Sequence, residues 1–260
     1  MSPVTKLKRS VSQVENNNFR AYVAEFVGTF LLVGFICGLI SSNATLDGLK
    51  LSPADLGILH GFLLVAIIYG IGTVSGAHVN PAITIGMWSI KKISSRDAGF
   101  YIVAQILGGI AGAFMIRGFF TGRGALVNYG AAHVSPAFLQ GGNVWLALIV
   151  EALGAFVLVW AVMATVVNRN AVAGFAGIAI GLSLGFAVMV FGPATGGSFN
   201  PARWLGPAIA SGTYPDFWLY IVGPIAGAVL AATLYQWLIG GAQETTEATD
   251  IKQVDAPGTR

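Results

Sequence analysis

Six long apolar stretches constrain the fold of this chain more than any other feature. Each holds about 20 mostly apolar residues, the length that a helix needs to cross the hydrocarbon of a bilayer. None alternates apolar and polar residues with a period of two, as the strands of a membrane barrel do. The sequence therefore predicts an all-α membrane protein with six transmembrane helices, at residues 19–40, 55–74, 98–117, 143–167, 172–191 and 216–239.

Composition agrees with hydrocarbon as the main solvent. Hydrophobic residues make up 55% of the 260 and charged residues only 10%, whereas a soluble domain carries roughly 25% charged residues. This excludes an ordinary soluble enzyme, and the net charge of +3 does not indicate binding of nucleic acid. The single cysteine, Cys37, excludes an intrachain disulfide and a multi-cysteine metal site. We expect no cofactor and no metal.

The distribution of Lys and Arg predicts the orientation in the membrane. With both termini on one side, that side holds ten basic residues and the other holds four: Lys6, Lys8, Arg9, Arg20, Lys91, Lys92, Arg96, Arg169, Lys252 and Arg260 against Lys50, Arg117, Arg123 and Arg203. Basic residues are enriched on the cytoplasmic side. Both termini are therefore predicted to be cytoplasmic, with polar tails at 1–18 and 241–260 in which we expect no regular structure.

The chain contains an internal duplication. The segment around Glu25 resembles the segment around Glu151, and Asn-Pro-Ala at residues 80–82 recurs 120 residues later at 200–202. Each half holds three predicted spans and a short apolar run after the second, at 80–89 and 200–210. Because three is odd, the second half enters the membrane inverted. The prediction is a 3+3 inverted repeat over 19–240, with halves at about 19–118 and 143–240 joined by an extracellular loop at 119–142.

The two short runs are predicted to be half-helices. Each is roughly 15 Å long as a helix, which is too short to cross the bilayer. Asn80 and Asn200 can cap them, and Pro81 and Pro201 suit the first helical position. The Gly-rich stretches before them can run extended with free carbonyls, which is tolerated at membrane depth only inside protein or along a wet cavity. We expect the half-helices to enter from opposite faces and their positive N-termini to meet at a pore.

The paired motifs Asn80-Pro81-Ala82 and Asn200-Pro201-Ala202, the two glutamates, and Arg203 directly after the second motif resemble the aquaporin (major intrinsic protein) family over roughly residues 19–240. The resemblance implies a passive channel for water and small neutral solutes, a homotetramer in the lipid bilayer, and no enzyme activity. Pores of this type use half-helix dipoles and an arginine to exclude protons and cations. It also implies that Glu25 and Glu151 accept hydrogen bonds from the backbone before the half-helices. His78 comes shortly before the first motif, and we expect it to brace the bend there.

The narrowest point of such channels has four characteristic positions, which are His60, Val188, Gly197 and Arg203 in this sequence. The first three differ from the pattern of strict water channels. The residue after Arg203 is Trp204, where glycerol facilitators carry Asp. We expect His60 and Arg203 to offer hydrogen-bond donors to a solute, and Val188 and Gly197 to leave a passage wider than that of a water-only pore.

These positions are most similar to plant tonoplast intrinsic proteins. Members of that subfamily that conduct water and ammonia carry His, Ile, Gly and Arg, and place a loop histidine at the constriction, for which His133 is the counterpart here. The resemblance therefore implies conduction of water and ammonia.

Several alternatives stay open. A glycerol or urea facilitator belongs to the same class. A coupled secondary transporter also uses inverted repeats, with Glu25 and Glu151 as a proton relay. An alternative role for His60 is helix packing, and an alternative role for His78 is that of a gate. The membrane itself is either a cell membrane or, in a plant, the vacuolar membrane.

Overall fold

The computed structural model describes residues 3–45 and 50–240. Within these ranges it contains α-helices and no β-strand. A 3₁₀-helix at Gly124–Gly130 follows the fourth α-helix, and π-helical turns at Met163–Val167 and Gln236–Gly240 extend the fifth and the eighth. In chain order the α-helices are α1 (Pro3–Thr45), α2 (Pro53–Ser75), α3 (Pro81–Ser89), α4 (Ser95–Phe119), α5 (Val144–Val162), α6 (Ala176–Thr195), α7 (Pro201–Ser211) and α8 (Leu219–Tyr235).

Six of these helices are long and apolar enough to cross a membrane, which confirms the predicted fold class. The candidate spans are Asn18–Ala44, Pro53–Ser75, Ser95–Phe119, Val144–Val167, Ala176–Thr195 and Leu219–Ile239. The fifth begins four residues later than predicted, because Gly174 has a left-handed backbone with φ +83° and breaks the helix there. The expectation of no regular structure at residues 1–18 was wrong for most of this segment, since α1 already begins at Pro3. The C-terminal tail lies outside the described residues.

The two short runs are half-helices, as predicted. Asn80 caps α3 by accepting a hydrogen bond from the backbone N–H of Ala82 at 2.8 Å. Asn200 caps α7 in the same way, from the N–H of Ala202 at 2.9 Å. An asparagine side chain that satisfies an N-terminal N–H typically stabilises a helix by ~1 kcal/mol. The repeated motif therefore starts a short helix in each half of the chain.

The stretches that precede the half-helices differ from the prediction, because they contain left-handed residues and are not extended. Residues 76–79 are named the first turn below, and residues 196–199 the second turn. Three residues in each have a positive φ, at matching positions 120 residues apart: Gly76, Ala77 and Val79, and Gly196, Gly197 and Phe199. Such backbone is uncommon for residues other than glycine, above all for a β-branched one. It persists only where the surrounding structure holds it. The inverted repeat thus extends to the conformation of the turns.

Helices α2 and α6 cross at a contact made by small residues, which gives the two halves a close common interface. A Cβ atom added to Gly61 would lie 2.8 Å from the carbonyl oxygen of Gly181, and one added to Gly181 would lie 2.6 Å from the carbonyl oxygen of Gly61. Small residues at membrane-helix crossings let the backbones approach in this way.

Apolar and charged side chains are distributed in the opposite way to a soluble protein, with apolar ones outside and charged ones inside. Large apolar side chains such as Phe62 and Phe186 are about 60% exposed on the outside, whereas Glu25, Glu151 and Arg203 are buried. A hydrocarbon environment outside accounts for the first observation. Buried charged groups require partners, and these partners define the candidate site.

Candidate functional site

The N-terminal ends of α3 and α7 meet at the two asparagines. The side-chain Nδ2 of Asn80 donates to the carbonyl oxygen of Phe199 at 2.9 Å, and Nδ2 of Asn200 donates to the carbonyl oxygen of Val79 at 2.9 Å. Each asparagine therefore fastens the turn of the opposite half. Since an amide nitrogen carries two hydrogens, each keeps a second N–H that it can offer to a molecule at the junction.

A narrow cavity runs past both asparagines. Its volume is about 20 Å³, which is little more than the space that one water needs. Three of the four predicted constriction residues line it, namely His60, Gly197 and Arg203, together with His78. Its apolar wall consists of Leu32, Ile36, Leu64, Val79, Ile83, Leu158 and Leu184. This volume does not support the prediction that the passage is wider than that of a water-only pore, which stays a prediction.

A wider cavity of about 320 Å³ begins where the narrow one ends. The two share Leu64, His78 and Ile83 as lining residues. His78 thus stands at the boundary between them. Its Nδ1 lies 3.1 Å from the hydroxyl of Thr84, and its ring packs edge-on against Tyr101 with centroids 5.3 Å apart. These contacts hold the ring at the mouth of the narrow cavity.

Glu25 is fully buried, and its carboxylate accepts four hydrogen bonds. One carboxylate oxygen accepts from the hydroxyl of Ser75 at 2.6 Å and from the N–H of His78 at 2.9 Å. The other accepts from the N–H of Val79 and the side-chain amide of Gln105, both at 2.7 Å. The carboxylate therefore holds the first turn in its left-handed conformation.

Glu151 repeats this arrangement in the second half. It accepts from the hydroxyl of Thr195 at 2.6 Å, from the N–H of Ser198 at 3.1 Å and from the N–H of Phe199 at 2.6 Å. Among the described residues, neither this glutamate nor Glu25 lines either of the two cavities. Both carboxylates face backbone and not the passage.

His60 and Arg203 supply the polar groups of the narrow cavity. Nδ1 of His60 lies 2.7 Å from the carbonyl oxygen of Leu56. A carbonyl only accepts, so Nδ1 carries the hydrogen and Nε2 of the neutral ring is an acceptor. This contact favours Nε2 of the neutral ring as an acceptor toward a solute, and donation from His60 stays a prediction. Nη1 of Arg203 donates to the carbonyl oxygen of Gly130 at 2.8 Å, while its buried Nε and Nη2 have no hydrogen-bond partner within the described ranges.

Comparisons with known proteins agree with this geometry. The sequence profile of the major intrinsic proteins matches residues 11–235. The chain belongs to this family. Aquaporin AqpM from Methanothermobacter marburgensis is 40% identical to it over 241 residues, which cover 83% of this chain and 96% of that protein. The probable aquaporin TIP2-2 of Oryza sativa subsp. japonica is 38% identical, over 85% of this chain and 88% of that protein.

A solved structure shows the same fold. The X-ray structure of the aquaglyceroporin from Plasmodium falciparum matches with a TM-score of 0.73 and 26% sequence identity, over 85% of this chain and 97% of that one. The predicted recognition of the aquaporin family is confirmed. Its members are channels and not enzymes, and the chain is accordingly a passive membrane channel for water and small solutes.

Two residues predicted at the constriction of this aquaporin are not among those that line the narrow cavity. Val188 is buried in the same apolar core as the wall of this cavity but is not one of its lining residues. His133 is exposed, and its Nδ1 lies 3.4 Å from the carbonyl oxygen of Ala131 in its own loop. The loop meets the aquaporin pore through backbone carbonyls, not through this ring.

Sequence reasoning missed the groups by which that loop reaches the pore. They are the carbonyl oxygens of Gly130, which accepts from Arg203, and of Ala132, which accepts from the indole N–H of Trp204 at 3.2 Å. Every residue has a carbonyl, so no residue type indicates these acceptors. The one available signal was Trp204 itself, an unusual residue beside the aquaporin arginine.

Proposed function

We propose that this aquaporin conducts water and ammonia through the narrow cavity and excludes protons and ions. The observation that carries the proposal is the meeting of two capped half-helix ends at Asn80 and Asn200, each with an amide N–H to spare. A solute with a lone pair finds donors there. The apolar wall offers little else to bind, so the solute passes without being held.

Exclusion of ions follows from the charge at the junction. The N-terminus of each half-helix carries about half a positive charge, and Arg203 adds a guanidinium with two unpartnered donor atoms among the described residues. A cation that leaves its hydration shell meets donors and no carboxylate there. A water at the two asparagines accepts from both, so its own hydrogens point away from the junction. This interrupts proton relay, as known for aquaporin-type pores.

The proposal of ammonia conduction rests on the pairing of His60 with Arg203. Ammonia has one lone pair and three N–H groups, so it can accept from the guanidinium while it donates to Nε2 of His60. Ammonium lacks the lone pair and is repelled by Arg203. Gly197 adds no side chain to the narrow cavity. The small volume of this cavity favours these solutes over glycerol or urea, which are the second candidates.

The support of the turns completes the proposal. We assign Glu25 and Glu151 a structural role, because their oxygens are occupied by donors from the turns and do not face the passage. This argues against a proton relay and hence against a coupled transporter. His78 is assigned to bracing the bend through Thr84. Pro81, Ala82, Pro201 and Ala202 start the half-helices behind the asparagines.

The assembly and placement of the channel follow the resemblance and the charge distribution. We propose a homotetramer in a cell membrane, or in the vacuolar membrane if the source is a plant, with both termini in the cytoplasm. The exposed apolar belt supports contact with lipid and with other copies of the chain.

The test uses the purified full chain in liposomes, with water flux from stopped-flow light scattering and internal pH after an ammonium pulse. We expect both permeabilities to rise above those of empty vesicles. His60→Phe removes the acceptor and fills space, so it should lower the ammonia permeability by on the order of fivefold, the scale of one lost hydrogen bond, and should leave exclusion of protons intact. Phe62→Leu, on the exposed side of the same helix, is the matched control. A protein that passes water alone would refute ammonia conduction.

A further inference from the structure

Trp204 occupies an unusual place beside the pore arginine. It lies in the first turn of α7 and is 1% exposed. The matching position of the first half, 120 residues earlier, is Thr84, whose hydroxyl joins a hydrogen-bonded network around Asn80 and Gln105. The two halves therefore use the second residue after the shared motif differently.

The indole ring of Trp204 is fixed on both its face and its edge. Its face stacks on Tyr220, with ring centroids 5.4 Å apart and an angle of 10° between the planes. The hydroxyl of Tyr220 donates in turn to the carbonyl oxygen of Thr195 at 2.8 Å, directly before the second turn. Nε1 of Trp204 donates to the carbonyl oxygen of Ala132 at 3.2 Å. The indole therefore connects α8 to the loop at 119–142, and Tyr220 extends these contacts to Thr195.

Residues 130–135, here named the cover loop, are attached to the pore at three points. Gly130 accepts from Arg203 and Ala132 accepts from Trp204, two consecutive residues of α7. The N–H of Ser135 donates to the carbonyl oxygen of Ala194 at 2.8 Å. The backbone of Ala132 also lies against Gly196, where an added Cβ would be 2.8 Å from the Cα of Ala132. The cover loop is thus pressed onto the second turn.

The guanidinium of Arg203 depends on this loop for its position. In the part of the chain that the structure describes, its one acceptor is the carbonyl oxygen of Gly130, and Nε and Nη2 have no hydrogen-bond partner. A side chain with a single anchor moves when that anchor moves. Because the Ala132 carbonyl is only two residues from Gly130, whatever fixes Ala132 also limits Gly130.

We propose that Trp204 is a positioning residue that sets the selectivity of the channel through the cover loop. Its indole N–H holds the Ala132 carbonyl, which keeps the Gly130 carbonyl in place for Arg203. The guanidinium then stays over the narrow cavity and limits the size of the solutes that pass. This inference rests on the proposed function, since it assigns a cause to the selectivity of that pore.

The test is Trp204→Phe, which keeps a six-membered aromatic ring at Tyr220 and removes the five-membered ring that carries the indole N–H. Trp160→Phe is the control for the loss of ring volume, because the half-buried Trp160 also packs on an aromatic ring, Tyr235 at 5.0 Å, and lies on α5 away from the cover loop. In liposomes, we expect Trp204→Phe to keep the water permeability within about twofold. The ratio of urea to water permeability should rise by on the order of fivefold, the scale of one lost hydrogen bond. Trp160→Phe should leave the ratio unchanged.

Hydrogen exchange of the folded protein supplies a second measurement. The amide of Ser135 and its neighbours in the cover loop should exchange faster in Trp204→Phe than in the unmodified chain, and at the original rate in Trp160→Phe. An unchanged permeability ratio with unchanged exchange would overturn the positioning role. A changed exchange with an unchanged ratio would overturn the link from loop to selectivity. Failure of the unmodified chain to conduct water is a separate outcome, since it would refute the proposed function itself.

Discussion

At the scale of single residues, Glu25 and Glu151 illustrate how a polar group inside a membrane protein is kept for structure. Each is fully buried and accepts hydrogen bonds from backbone N–H groups. The residues that donate either have a positive φ themselves or are neighbours of a residue with a positive φ. A buried carboxylate without such donors would be costly. Strained turns without such an acceptor would relax. The carboxylate and the turn therefore stabilise each other.

Replacing Glu151 with Gln tests this at one residue. The variant loses one acceptor oxygen and places an NH₂ group against N–H donors, so each unsatisfied donor should cost about 1–3 kcal/mol. We expect a lower midpoint of thermal unfolding and reduced water permeability per mole of protein. Asp55→Asn is the control, since Asp55 is an exposed capping residue whose loss should cost about 1 kcal/mol or less. Flux in the unmodified chain that requires a proton gradient and vanishes in Glu151→Gln would contradict the structural role.

At the scale of elements, the crossing of α2 and α6 depends on glycine at the contact. A Cβ on Gly61 would approach the carbonyl oxygen of Gly181 to 2.8 Å, so two helix backbones would have to separate. Overpacking of this kind costs about 1–3 kcal/mol. His60 belongs to the same turn of α2, so a shift of this helix also moves a residue of the narrow cavity.

Gly61→Ala is therefore expected to lower the thermal midpoint and the water permeability together. Gly70→Ala is a matched control in the same helix, because nothing lies within 4 Å of a Cβ added to Gly70. That change should be neutral, or stabilise by about 0.5–1 kcal/mol through better helix propensity. Equal effects of the two substitutions would show that the close crossing is unimportant.

At the scale of the whole molecule, the inverted repeat requires both termini on the same side of the membrane. Single cysteines introduced into a Cys37→Ala background test this, because Cys37 is the one cysteine of the chain. We expect Lys92→Cys to react with a membrane-impermeant maleimide only after the cytoplasmic face is opened, and Thr121→Cys to react in intact cells. Both positions are exposed. The opposite pattern would reverse the predicted orientation.

The sequence predicted the parts of this molecule that hydropathy and repeated motifs encode. The spans follow from the length of apolar runs, and the half-helices follow from Asn-Pro-Ala motifs whose residue types suit a helix start. The left-handed turns at Ala77, Val79 and Phe199 were not predictable, because these residue types do not favour such backbone and depend on distant glutamates. The same holds for Val188, since its place on α6 does not by itself fix the side that it faces.

The pore that we propose passes water between the two half-helix ends and does not pass protons. The direct measurement records water efflux and internal pH in the same vesicles, which contain the purified chain, under an osmotic gradient and then under a pH gradient with a potassium ionophore to prevent charge build-up. We expect the vesicles to shrink faster than empty ones while their internal pH drifts at the rate of empty vesicles. Fast water efflux accompanied by fast acidification would contradict it.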